Sequence, residues 1–349
     1  MNQATRIARG LLRRVRRRWR RGRGGPGATP AAGKPAAGKP AAGKPAGKAS
    51  AGTPSEVAAD GPAEGVDRPT QAPTLTQRRF TTRLPVPAGT APLPPLLVEA
   101  PPRAFVAKRL HEVGLAGYEP DTLAAWCAAL QLRPPGLVYD VGANIGVFAL
   151  TAALLVREGL APAHRIVAVE PTPELVEVAR RLIRRNHLDV EVLSMAFGRD
   201  DTTAIFHLSD QSDASSSLNE AFRPSTRKVE VQIERLDSDV AQRGEVPTLL
   251  KIDTETTEPD VLAGARDTLE RHRPWMICEV LPGRGSEEGL QPILDGLGYR
   301  TYRLDGGGPA SEGPLAGDTD YEYLNWLFTP EEPDEAFWAT VATWRNAWR

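Results

Sequence analysis

Five carboxylates and a glycine turn carry the chemistry this sequence can do. Asp140 stands just before the turn Gly142-Ala143-Asn144-Ile145-Gly146, and Glu170 follows 30 residues after Asp140. Further on come Asp253 and Glu255, and then Glu279 in the run Met276-Ile277-Cys278-Glu279. A glycine turn between a strand and a helix presents N–H groups that have no intrahelical partner and ordinarily favour a phosphate. A carboxylate at Asp140 would repel a phosphate. It suits a ligand that carries positive charge or has hydroxyls to donate, so the stretch points to a nucleoside without phosphates. Glu170 ends the next apolar run, where an acid can accept two hydrogen bonds from a ribose diol. Any one of these acids alone reads as a helix cap; Asp140, the glycines and Glu170 together read as a ligand site.

These residues need a sheet to bring them together. Apolar runs at 137–141, 165–170, 190–195, 248–253 and 275–280 predict buried strands, with helical patterns at 145–157, 173–186, 258–271 and 287–297 between them. Segments near 299–304 and 323–329 add two strands. A two-stranded region at about 203–208 and 228–235 flanks the polar loop 209–227, which could close over an acceptor. Strands alternating with helices predict a doubly wound α/β fold, with a mostly parallel sheet covered on both faces. In such sheets ligands sit outside the carboxyl ends of the strands, where Asp140, Glu170, Asp253 and Glu279 fall.

The rest of the chain divides by composition. Residues 1–50 hold 14 of the 43 Lys and Arg and none of the 44 Asp and Glu, so a basic arm precedes an acidic body. In the arm (1–25), Ile7, Leu11, Val15 and Trp19 recur at helical spacing among arginines. It is expected either to be a solvated tail or to meet an anionic membrane surface or nucleic acid. Residues 26–78 repeat Pro-Ala-Ala-Gly-Lys and have almost no large apolar residue, which predicts a flexible linker. Residues 79–136 are read as an N-terminal cap with a helix from Asp121 through Leu130, 137–330 as the sheet domain, and 331–349 as an amphipathic helix. Cys127 and Cys278 both sit in apolar patterns, which excludes a disulfide framework and zinc spacing. No apolar run approaches the length of a membrane span, and the expected location is cytoplasmic. The five histidines show no metal-ligand spacing, and Ser215-Ser216-Ser217 lacks a nucleophile-elbow context.

Asp140-Val141-Gly142-Ala143-Asn144-Ile145-Gly146, Val169-Glu170-Pro171, Leu250-Lys251-Ile252-Asp253 with Glu255 and Glu258, and Val261-Leu262-Ala263-Gly264-Ala265 together resemble the FkbM-type S-adenosylmethionine-dependent methyltransferases. Gly117-Tyr118-Glu119-Pro120 and Ile277-Cys278-Glu279 fit as well. The resemblance spans about 105–330. It implies a seven-stranded, Rossmann-like methyltransferase sheet, S-adenosylmethionine as cofactor, and methylation of a hydroxyl on a sugar, polyketide or related metabolite. Carried over, Asp140, Gly142, Asn144 and Gly146 would line the methionine end of the cofactor and Glu170 would hold its ribose. Asp253, Glu255 and Glu279 would border the place where the methyl leaves sulfur, with Asp253 the first candidate base. These three acids could also ligate magnesium; the reading adopted has no metal. The implied acceptor is a small molecule or glycan.

The family usually has glycine after the second acid of this block, and this chain has Thr256 followed by Thr257. A β-branched residue tolerates positive φ poorly, so the expectation is a changed loop backbone or a changed acceptor pocket, with Thr257 as N-cap of the next helix. Two alternatives remain open. One is a nicotinamide-dependent oxidoreductase, disfavoured by the absence of Gly-x-Gly-x-x-Gly spacing. The other is a catalytically degenerate protein that binds membrane or nucleic acid through its basic arm.

Overall fold

The computed structural model describes residues 78–100, 104–210, 212–219, 225–306 and 312–349. The basic arm and almost all of the repeat linker lie outside the described residues.

The apolar runs form a seven-stranded sheet. It comprises β3 (Leu137–Val141), β4 (Arg165–Val169), β9 (Pro247–Ile252) and β10 (Trp275–Glu279) at its centre, β5 (Glu191–Leu193) at one edge, and β12 (Asn325–Thr329) and β11 (Arg300–Arg303) at the other. The spatial order is β11-β12-β10-β9-β3-β4-β5. The first five named strands run parallel, and β12 is antiparallel to both neighbours. Strand order reverses between β3 and β9, so a crevice opens at the carboxyl ends of these two strands. Both are buried along their whole length, as expected of strands covered on two faces.

Each face has its own core. One gathers α2 (Pro120–Leu132), α3 (Val147–Arg157) and α4 (Pro173–Arg185) against the sheet, with Trp126 fully buried and its indole N–H donating to the Phe148 carbonyl at 3.1 Å. In α4 the buried residues Leu175, Ala179, Leu182 and Ile183 recur at helical spacing, while Arg180 and Arg181 face outward to Glu177 and Glu99. The other core packs α5 (Leu236–Arg243), α6 (Glu258–Ala263), α7 (Arg266–His272) and α8 (Ser286–Leu297) on the opposite face. The terminal helix α9 (Glu335–Ala347) is capped by Asp334, which accepts from the Phe337 N–H at 2.8 Å. It seats Phe337 and Trp344 in the first core, and the Trp344 indole donates to Gln131 of α2.

Beside this body lie two small sheets. β1 (Arg78–Thr82) pairs antiparallel with β2 (Leu96–Ala100). β7 (Thr202–Leu208) pairs antiparallel with β8 (Arg227–Glu234), which also takes β6 (Ala196–Phe197) as a parallel neighbour. The expected two-stranded region is therefore three-stranded. Helix α1 (Phe105–Gly117) runs toward Tyr118 and is broken at Gly114, where φ is 65°.

Three sequence expectations need correction. The pattern at 258–271 is two helices, because Gly264 turns the chain between them: a Cβ there would lie 1.9 Å from the Gly198 carbonyl oxygen, and the Gly264 carbonyl accepts from Asp237 N–H. The helix predicted from residue 145 begins at Val147, after Gly146 in the left-handed region. Helix α5 was not anticipated.

Candidate active site

The glycine turn is held from both sides. Gly142 and Ala143 N–H both donate to the Val169 carbonyl, at 2.9 and 3.0 Å, which ties the end of β3 to the end of β4. Gly142 has φ of 78°, and a Cβ there would sit 1.8 Å from the Asp253 carbonyl oxygen. Only glycine permits that approach. Asn144 also adopts positive φ, 54°, and its Oδ1 accepts from Ile145 N–H, the local bond that lets asparagine take this conformation.

Two acids close the floor of the cavity. Asp140 is 2% exposed, and its Oδ2 accepts from Ala149 N–H at 2.9 Å, satisfying a donor in the first turn of α3. Burial pushes its carboxyl up to about 7; the Ala149 N–H and Lys251 oppose the rise, and Asp253 and Glu170 add to it. Glu170 accepts from Thr172 N–H at 2.8 Å through Oε1 and from Asn144 N–H at 2.9 Å through Oε2. Burial raises it as well, against the pull of those bonds. A carboxylate has about four acceptor positions, so both oxygens can still receive hydroxyls.

The second group of acids lies at the ends of β9 and β10. Ligand oxygens of Asp253, Glu255 and Glu279 all fall within 4.8 Å of one another. Between them and the core is Lys251, 0% exposed, whose Nζ donates to Asp253 Oδ2 at 3.0 Å and lies 5.1 Å from the Phe148 ring centroid. Burial disfavours its charge, but Asp253, Glu119 and Glu279 outweigh burial and hold the ammonium firmly protonated. Glu279 moves the other way: burial first, then Asp253, Glu255 and Glu258, raise it well above the usual carboxylate range. Its Oε2 is buried with no partner among the described residues. Three oxygens at this spacing could also accept a divalent cation, although Lys251 already supplies positive charge at Asp253.

The turn after Asp253 keeps a glycine-like backbone without a glycine. Glu255 and Thr256 have φ of 56° and 93°. The fully buried Glu258 carboxylate imposes this geometry by accepting from Thr254 N–H at 2.9 Å and Thr256 N–H at 3.2 Å. Thr257 occupies the cap position of α6 but makes no side-chain cap bond, and Glu258 instead ties down the loop before the helix.

Residues 212–219 fold back over the crevice. Asp213 Oδ1 accepts from Phe105 N–H at 2.7 Å, and its carbonyl accepts from Asn144 Nδ2 at 3.2 Å. Ser217 Oγ donates to the Glu255 carbonyl at 2.7 Å, and Asn219 Nδ2 donates to Thr256 Oγ1 at 3.2 Å. This segment therefore bridges the glycine turn and the acidic turn.

One cavity is lined by Asp140, Gly142, Asn144, Glu170, Asp253, Glu255 and Glu279 together. Gly146 is outside that lining; it provides the positive φ, 85°, at which α3 begins. The motif included Lys251 and Glu258 without giving either a role, and Asp213 was not singled out. The signal for Lys251 was a lone cation in the middle of a six-residue buried strand.

Residues 140–304 match the family model described as the methyltransferase FkbM domain. These residues form an FkbM-type methyltransferase domain. The match bears out the sequence resemblance and sets aside the nicotinamide alternative. The chain is 28% identical over 224 residues, 55% of its length and 80% of the relative's, to the 31-O-demethyl-FK506 methyltransferase FkbM of Streptomyces tacrolimicus. Among solved structures it is similar to methyltransferase FkbM from Methylobacillus flagellatus KT, with TM-score 0.38 and 18% identity, covering 56% of this chain and 43% of that one. The chain thus spans under half the length of that structure. It is also similar to the O-methyltransferase from Bacillus cereus in complex with SAH, with TM-score 0.34 and 14% identity, covering 60% and 78%. The cofactor of the methyltransferase domain is S-adenosylmethionine. The residues present fit it: the Gly142 cradle admits close approach, and the buried carboxyls of Asp140 and Glu170 suit a cation and hydroxyl donors. Among the described residues no helix is long and apolar enough to cross a membrane.

Proposed function

We propose that the chain methylates a hydroxyl oxygen on a sugar, polyketide or related small metabolite. The carrying observation is the cluster of Asp253, Glu255 and Glu279 around buried Lys251, in the same cavity as the glycine turn. The Streptomyces relative, a methyltransferase of 31-O-demethyl-FK506, supports an oxygen acceptor. When bound, S-adenosylmethionine supplies a methyl already activated on a sulfonium sulfur. The chain's work is alignment and proton removal.

Gly142 and Asn144 shape the seat for the methionine end, Asp140 faces its positive charge, and Glu170 receives the ribose hydroxyls. Gly146 acts through the turn rather than by contact. Asp253, the first candidate base from the sequence, has one oxygen committed to Lys251. Glu279 takes the role better: its Oε2 has no partner among the described residues, and its surroundings raise its affinity for a proton. With the cofactor bound, ionised Glu279 would take the acceptor O–H proton as the methyl is transferred to that oxygen. Glu255 and Asp253 orient the acceptor hydroxyl.

The test is turnover of labelled cofactor with a panel of hydroxylated acceptors, with the product's methyl position fixed by NMR. A methyl ether is the expected product; a methyl on nitrogen or carbon overturns the oxygen assignment. For the basic arm, which lies outside the described residues, we propose binding to anionic lipid or nucleic acid. Such binding should vanish when residues 1–50 are deleted, and its survival would remove the arm from the account.

A further inference from the structure

The cavity has one charge that the proposed chemistry does not use. Among the described residues, eight acidic side chains line it against two cations, Arg109 and Lys251. Lys251 is committed to Asp253. Arg109, on α1, is 9% exposed, and its Nη2 is buried with no hydrogen-bond partner. Its ion-pair contact is Glu112, at a distant 3.8 Å from Nη1. Burial lowers the guanidinium from its ordinary value and Glu112 raises it, yet an arginine remains charged at any physiological pH. A buried guanidinium with an unpaired donor is unfavourable unless an anion completes it.

Its location says which anion. Phe105, one helical turn before Arg109, gives its N–H to Asp213, whose carbonyl accepts from Asn144 of the glycine turn. Arg109 shares the cavity lining with Tyr118, whose ring leans on Phe148 in the first turn of α3, with centroids 6.5 Å apart. Arg109 therefore stands over the methionine end of the cofactor seat. S-adenosylmethionine carries two positive groups, the sulfonium and the ammonium, and one negative group, the α-carboxylate. The acids of the cavity answer the positive groups.

We propose that Arg109 is the anchor for the cofactor's α-carboxylate. The guanidinium fork matches a carboxylate in a bidentate manner, and Nη2 supplies the donor that lacks a partner. The proposal rests on the cofactor assignment above. Arg109 is then a binding residue that fixes the cofactor's tail, and through it the direction in which the methyl is offered.

Calorimetry on the full chain tests this with two ligands, S-adenosylmethionine and its decarboxylated analogue, which keeps the sulfonium and the amine and lacks only the carboxylate. The wild-type chain should prefer the intact cofactor by about 30-fold or more, the scale for leaving a buried charge unpaired. Arg109→Met should erase that preference by weakening the intact cofactor alone, with the analogue's affinity changing less than about threefold. Arg109→Lys should recover part of the preference. Equal affinity of both ligands for the wild-type chain overturns the proposal without any variant, so a variant that fails to fold does not protect it. Equal weakening of both ligands by Arg109→Met makes the residue merely structural. Unchanged cofactor affinity with a raised acceptor KM assigns Arg109 to the acceptor instead. If the wild-type chain binds neither ligand, the cofactor assignment itself falls.

Discussion

At the glycine turn, the acids answer backbone: Asp140 holds the first turn of α3, and Glu170 gathers N–H groups from Asn144 and Thr172. At the ends of β9 and β10, the acids answer one another: Asp253, Glu255 and Glu279 crowd together with a buried ammonium on Asp253, and the turn after Asp253 has two non-glycine residues at positive φ. The first arrangement is rigid because main-chain groups define it, and it suits a ligand that does not vary. The second stores unfavourable charge and backbone strain, which raises proton affinity where a base is useful.

The comparison breaks most completely if Gly142 can be replaced. In Gly142→Ala the methyl meets the Asp253 carbonyl, so both regions should fail together. Stability should drop by about 4 kcal/mol or more, with cofactor binding lost in the same calorimetric experiment. Wild-type affinity in that variant would refute the close approach. Next in size is Lys251→Met, which leaves buried carboxylates uncompensated. Thermal melts should show about 3–5 kcal/mol lost, with Lys251→Met/Asp253→Asn recovering part of it. Glu279→Gln should lower kcat by roughly 10²-fold or more while leaving cofactor affinity within about threefold. A parallel loss of affinity would mean that the two regions are not separable.

A smaller effect comes from pH. The folded chain holds a proton on Asp140 up to about 7, whereas the unfolded chain releases it at the ordinary carboxylate value. Folded protein therefore binds the proton more tightly, and the stability present at low pH is lost as pH rises toward 7. Melting temperature without cofactor should fall between pH 5 and about 7.5. Saturating cofactor should flatten that decline, because its positive charge favours the ionised acid. The smallest effect is expected at Thr256→Gly. Relief of a positive φ is offset by the lost Asn219 bond and by glycine's added unfolded-state entropy, for a net change of about 1 kcal/mol or less. Thr256→Ala, which loses the bond and keeps the angle, should be the less stable of the two.

What was legible in the sequence followed from periodicity and residue type. The buried strands announced themselves as apolar runs, and the glycine turn with Asp140 and Glu170 was readable because few residues can occupy such positions. Helix α5 was not: only Leu236 and Val240 mark its apolar stripe, too little for a pattern. The break at Gly264 comes from contact with Gly198, more than 60 residues away, and no local signal encodes it. Lys251 inside an apolar strand would ordinarily face water; Phe148 of α3, its ring centroid 5.1 Å from the ammonium, is part of the layer that removes that option. Thr256 misled for the opposite reason. Its residue type argues against positive φ, and the buried Glu258 carboxylate imposes that conformation nonetheless.

The contact between Gly142 and the Asp253 carbonyl has one more consequence. It joins two neighbouring parallel strands main chain to main chain, with no side chain between them. The separation of donor seat and acceptor acids is thus a ruler ruled in backbone. In the proposed reaction, substitutions around Glu255, Thr256 or the 212–219 segment would alter the acceptor side while the main-chain contact keeps the donor seat at its distance.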